Sequence, residues 1–235
     1  MTPASRPTTD RPRRAAPGAP HATGAFSMSS YRLRSHIRHC QFGPRTICLD
    51  LAASRYFLLE GAAAAHLTDF VEGAACGATI GHLLHLGIIE PGAREHAQPK
   101  AAFPTASALD CQPAAPSTWQ LYRSILEQRR VRRALTRHSL GSLLEPTGLP
   151  RAEPDQCRAV AAAFARASRY RDATDQCLVR SLAMRAMLAR AGAGVDLVIG
   201  VMLPFAAHCW IQAGPVVLSD PLDHVLNFTP LLTAQ

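Results

Sequence analysis

Apolar positions recur at every second residue in the first third of the chain. In RTICLDL, Ile47, Leu49 and Leu51 alternate with Thr46, Cys48 and Asp50, a period of two that predicts a strand with one buried face. Gly43-Pro44 supplies a turn before it. Ala52-Ala53-Ser54 makes a short connection to a further strand, Arg55 to Leu59, and Gly61 ends the run. The period then changes. Residues 62–71, AAAAHLTDFV, have helical composition, Thr79 is placed to cap a second helix, IGHLLHL, and Ile88-Ile89 reads as a short extended return after Gly87. Strands followed by two or three helices outline a small winged-helix-like module over residues 29–92.

Residues 93–116 are rich in Pro, Ala, Gly and Gln without a sustained period, and read as a linker. Helical patterning resumes after Ser117, a candidate N-cap. WQLYRSILEQRRVRRAL places Leu121, Ile125 and Leu126 on one face and arginines on the other. A loop from Pro146 to Pro154 leads to a helix over 156–167. Another helix begins near Asp175, with Leu178, Leu182, Met187 and Leu188 as its apolar positions and Gly192 and Gly194 as its stop. Three strands follow: VDLVIGVML, AHCWIQA and PVVLSD. The fold class is therefore α+β, with a second domain over residues 117–235.

Composition narrows the setting. The 235 residues suffice for two small domains, and no apolar run is long enough to span a bilayer. Residues 1–28 carry Arg6, Arg11, Arg13 and Arg14 among Pro, Ala, Ser and Thr with no apolar segment after them, which predicts a disordered basic tail rather than a secretory signal. The seven cysteines form no CxxC pair, so neither a zinc site nor a disulfide framework is signalled, and a reducing cytoplasmic setting fits. The formal charge of +8 comes mainly from the tail and from the segment Arg123 to Arg137. With no Gly-rich loop or interleaved aromatics beside it, that segment reads as a solvated helix face and not a nucleic-acid site. No cofactor and no metal are expected.

Chemistry concentrates late in the chain. Cys177 falls in the first turn of the helix that follows Thr174-Asp175-Gln176, where unpaired N–H groups and the positive end of the helix dipole stabilise a thiolate. His208 opens the second of the three strands. Asp220 ends the third, and antiparallel pairing through the Ala213-Gly214 turn brings it beside His208. Singly, each has an ordinary structural reading: a packing cysteine, a satisfied histidine, a turn aspartate ahead of Pro221. Together they supply a nucleophile, a base and a group that orients the base. The Cys177 N–H and the Gln176 side chain are candidate oxyanion donors. Asp223 is an alternative orienter, with Asp196 a weaker one.

The order Cys, His, Asp on helix, strand and strand resembles the transglutaminase-like, papain-related fold. DQCLVRSLAMRAMLARAG, LVIGVMLPFAAHCW and VVLSD, taken together, are similar to the leader peptidases of lasso peptide biosynthesis. That resemblance implies a cysteine peptidase with Cys177, His208 and Asp220 as its triad. Cys209 stands where that pattern commonly has alanine, and strand alternation turns its side chain away from the triad. The resemblance also implies two partners, a lasso precursor peptide and an ATP-using, asparagine-synthetase-like macrolactam cyclase. The N-terminal module resembles the precursor-recognition elements related to the pyrroloquinoline quinone chaperone, which add a leader peptide as a strand to a sheet edge. Carried onto this chain, the edge is Arg55, Tyr56, Phe57, Leu58 and Leu59, faced by helix residues from Ile80 to Leu86, among them Leu83 and Leu86. An acyltransferase of the same fold, a non-catalytic scaffold that presents the precursor, and a DNA-binding regulator are the competing readings.

Overall fold

A computed structural model describes residues 31–93, 100–110, 115–169 and 176–235. The basic tail, Cys111 and Thr174-Asp175 lie outside these residues. The N-terminal part contains β1 (Tyr31–Leu33), β2 (Ile37–Phe42), β3 (Arg45–Asp50), β4 (Arg55–Leu59), α1 (Gly61–Glu72), α2 (Gly77–His85) and β5 (Ile89–Pro91). Strands β2, β3 and β4 form an antiparallel sheet in that order, with Cys48 opposite His39 and Phe57. Strand β5 returns to pair with β1, Leu33 opposite Ile89, so that the two ends of the module are tied together.

Helix α1 ends at Gly73, whose φ of 86° is the left-handed cap that glycine adopts most easily. The cap of α2 is Cys76, in extended conformation, and not Thr79. Thr79 lies inside the helix and is buried, its hydroxyl 3.4 Å from the Cys76 sulfur. Ile80 and Leu83 are driven into the module's own core with Leu67, Phe70, Ile88 and Ile89. Leu83 is therefore not on a surface that a peptide could reach, whereas Leu86 is 42% exposed.

The alternation in β3 hides two buried faces rather than one. Cys48 joins the core under α1 and α2, while Ile47, Leu49 and Leu51 join the core of the C-terminal domain, together with Cys40 from β2. Thr46, polar and alternating with these residues, is also buried, at 1% exposure. The sheet is thus a layer between its own helices and the second domain.

That second domain contains β6 (Ala106–Ser107), α3 (Thr118–Leu135), α4 (Leu140–Leu143), α5 (Pro154–Ser168), α6 (Cys177–Arg190), β7 (Asp196–Met202), β8 (Ala206–Ala213), β9 (Val216–Val217), α7 (Leu222–Val225) and β10 (Thr229–Ala234). Its sheet has the order β10-β7-β8-β9-β6, with α6 against β8 and α3 and α5 behind α6. Strand β6 falls inside the stretch expected as a linker. It pairs in parallel with β9, and Gln212 Nε2 donates to the Ala102 carbonyl at 2.8 Å, so these residues belong to the sheet. Ser117 caps α3 through a reciprocal capping box with Gln120. The inward positions of α3 are Ser124, Glu127, Gln128 and Val131, not Leu121, Ile125 and Leu126. Glu127 is buried on that face, paired with Arg190 of α6 at 2.7 Å and with Arg130 of its own helix at 3.3 Å. Arg185 is likewise buried, its guanidinium donating to the carbonyls of Leu143, Glu145 and Gln235.

Candidate active site

Cys177 is the first residue of α6, with Gln176 as its N-cap. Because β9 pairs with β8 only at Gln212 and Ala213, the earlier part of β8 has an open edge, and the helix start sits against it. The N–H groups of Leu178 and Cys209 both point to the Cys177 sulfur, and the His208 ring is hydrogen-bonded to it. Burial alone raises the thiol pKa. Contact with His208 and these N–H groups outweighs it and leaves the pKa below that of an ordinary thiol. The edge is sealed further along, where Ser181 Oγ donates to the Cys209 carbonyl at 2.9 Å and Ser219 Oγ accepts from the Ile211 N–H at 2.9 Å.

His208 stands opposite Gly200 of β7. Its ring stacks over Trp210, lies 5.3 Å from Phe228, and takes the edge of His224 at 4.6 Å. Nε2 is 3.2 Å from Asp220 Oδ1, an ion-pair distance although out of line for a straight hydrogen bond. Nδ1 is then the nitrogen left for the thiol. Burial lowers the imidazole pKa, but Asp220 and Cys177 more than offset this and raise it to about 9. Protonated His208 and ionised Cys177 therefore favour each other.

Asp220 is 4% exposed and held from four sides. Arg180 Nη2 and His208 share its Oδ1, Ser219 Oγ donates to Oδ2, and Ser107 Oγ donates to its main-chain carbonyl at 2.7 Å. Burial would raise its pKa. His208, Arg180 and Ser219 reverse that and keep the carboxyl below its usual range. When Cys177 is ionised and His208 protonated, guanidinium, carboxylate, imidazolium and thiolate alternate in sign and sum to zero, which lets four charges share a partly dry site.

Sequence reasoning did not single out Arg180, Ser219 or Ser107. Arg180 carried a signal, since it is three residues after Cys177 and shares its helix face. Ser107 carried none. The alternatives for the orienter fall elsewhere. Asp223 is exposed and accepts from the His224 N–H, while Asp196 pairs with Gln212 at the far end of β7, its pKa raised by burial. Cys209 is fully buried on the opposite face of β8, where burial pushes its thiol far up.

Residues 118–233 match the model of the transglutaminase-like superfamily. The C-terminal domain is transglutaminase-like. No curated protein and no solved structure gives a match. The transglutaminase-like domain thus contains α3 to β10 and every group of the site except Ser107. Its chemistry is compatible with cysteine peptidase or acyltransferase activity. Among the described residues no cluster of three or more His, Cys, Asp or Glu could hold a metal ion, and no helix is long and apolar enough to cross a membrane.

Five of the residues expected to take a leader are on β4, an outer strand of its sheet, and Leu83 and Leu86 are on α2 and at its end. Arg55 and Leu58 are exposed, Tyr56 and Phe57 half-buried, and Leu59 buried. Tyr56 turns toward the transglutaminase-like domain and meets the Phe205 ring edge-on at 5.3 Å. Burial, with the nearby sulfurs of Cys209 and Cys177, pushes its phenol up to about 12.

Proposed function

We propose that the chain is a cysteine peptidase that removes the leader from a ribosomally made lasso precursor. The observation that carries the reading is the placement of Cys177 at the start of α6, hydrogen-bonded to His208, with Asp220 behind the imidazole. The Cys177 thiolate attacks the carbonyl carbon of the leader–core bond, and the oxyanion takes donors at the helix start, the Cys177 N–H first and the Gln176 side chain second. Imidazolium His208 gives its proton to the core amine, the C–N bond breaks, and the leader remains as a thioester. His208 then takes a proton from water as it attacks, which frees leader carboxylate and thiol.

Three features support the finer reading. The triad motifs resemble those of lasso leader peptidases, the N-terminal module resembles precursor-recognition elements, and β4 lies at the edge of its sheet. In this reading the leader adds to β4 along Arg55 to Leu59, with Leu86 beside it and Leu83 supporting from the core. The free core amine passes to the asparagine-synthetase-like cyclase, and the setting is the cytoplasm. Mass spectrometry of a precursor encoded beside this chain's gene tests the proposal. Two products whose masses sum to the precursor plus water are expected, and none with Cys177→Ala. Loss of ammonia with cross-linking identifies an acyltransferase instead, and an unchanged precursor identifies a scaffold.

A further inference from the structure

The N-terminal sheet packs into the core of the transglutaminase-like domain. Leu49 is opposite Tyr56 in the β3–β4 register, so Tyr56 lies on the same face of the sheet as Ile47 and Leu49, the face that packs into the second domain. Tyr56, Cys177, Leu203 and Ala207 all pack against one core. Phe205, its ring partner, sits in the β7–β8 turn three residues before His208 and is 58% exposed. One aromatic pair therefore spans from the edge strand of one domain to the turn that leads into the His208 strand of the other.

We propose that Tyr56 and Phe205 form a wall of the active-site cleft beside Cys177, so that a residue of the recognition sheet determines how large a group can reach the thiol. Such a wall admits an extended chain with small side chains next to the scissile bond and turns away bulky ones. Burial first, then the sulfurs of Cys209 and Cys177, raise the Tyr56 phenol, in keeping with a place beside that strand and helix start. The inference rests on the peptidase reading only in taking the excluded group to be part of a peptide substrate. The wall itself does not depend on it.

The test uses two thiol reagents on the full chain, small iodoacetamide and bulky N-(1-pyrenyl)maleimide, with the rate at Cys177 read by peptide mass spectrometry. Opening the wall with Tyr56→Ala should raise the maleimide rate about tenfold while the iodoacetamide rate changes less than about twofold, because access and not thiolate content is altered. Tyr56→Phe keeps the ring and should keep the wild-type ratio. Phe205→Ala removes the exposed half of the same pair, should act like Tyr56→Ala, and decides the matter alone should Tyr56→Ala fail to fold. An unchanged ratio in the alanine variants overturns the proposal. So does an equal rise for both reagents, which would mean general loosening, or a Tyr56→Phe variant that behaves like alanine. Neither reagent is a peptide, so this outcome is separate from the cleavage reading, which product masses decide.

Discussion

Ser107 Oγ donates a 2.7 Å hydrogen bond to the main-chain carbonyl of Asp220, joining two residues 113 positions apart. The same oxygen accepts from the Leu109 N–H at 3.0 Å, so the hydroxyl is used twice in a buried setting. The candidate orienter is thus anchored through its backbone by a strand outside the matched domain. Ser107→Ala leaves a carbonyl and an N–H without partners and should lower stability by about 1–3 kcal/mol, measurable in urea unfolding.

The pH dependence of Cys177 reactivity follows from two opposite shifts. The thiol is depressed and His208 is raised to about 9, so the thiolate–imidazolium pair exists between the two. Alkylation of Cys177 should rise at a pH below the ~8.5 of a free thiol, and under the peptidase reading cleavage should fall again as His208 loses its proton near 9. His208→Ala should move the alkylation rise up toward the free-thiol value. A wild-type profile in that variant would detach the histidine from the sulfur.

Under the proposed mechanism Arg180 would act as a positioning residue through Asp220, with which it is paired. Its cation helps keep the carboxyl pKa low, and a depressed carboxyl contributes stability above its unfolded value of ~3.9 that is lost as pH falls through the folded one. Arg180→Gln should therefore cost about 1–2 kcal/mol at neutral pH, discounted for the partial exposure of the guanidinium. The difference from wild type should shrink toward acid, as followed by urea unfolding at several pH values. The variant should also lower the Cys177 alkylation rate near neutrality, a readout that simple loss of packing would leave unchanged.

Gly200 lies opposite His208 and under an aromatic ring. A Cβ there would stand 2.7 Å from Trp210 Cζ3 and 2.8 Å from Phe228 Cβ. Both are packed and neither can retreat easily, so Gly200→Ala should destabilise by about 1–3 kcal/mol. Since Trp210 stacks on His208, the same change should alter tryptophan fluorescence and lower activity more than the loss of stability explains.

The helix carrying Cys177 and the strand carrying His208 are legible because periodicity and turn residues are local signals. PVVLSD is only half right as a strand: β9 stops at Val217, Leu218 still donates to the Ile211 carbonyl at 2.8 Å, and Asp220 turns to meet Arg180 of α6. Nothing local could reveal Ser107, since a Pro- and Ala-rich stretch gives no period and its strand exists only by pairing with β9. Glu127 and Arg185 are hidden from the sequence for a different reason. Charge patterning assigns such residues to a solvated face, and only their distant partners explain why both are buried. Thr79 shows competition between two plausible caps, which Cys76 wins by its extended backbone.

The two-sided burial of the β2–β4 sheet bears on how the chain can be divided. Ile47 and Leu49, each 1% exposed, lose their cover on one side if the protein is cut near residue 100, and each would forfeit about 1.5–3 kcal/mol. An isolated N-terminal fragment would present a sticky apolar plane and self-associate. Expressed as two polypeptides, the halves would be expected to copurify as a permanent heterodimer rather than meet transiently, and a single gene removes the concentration dependence of that assembly.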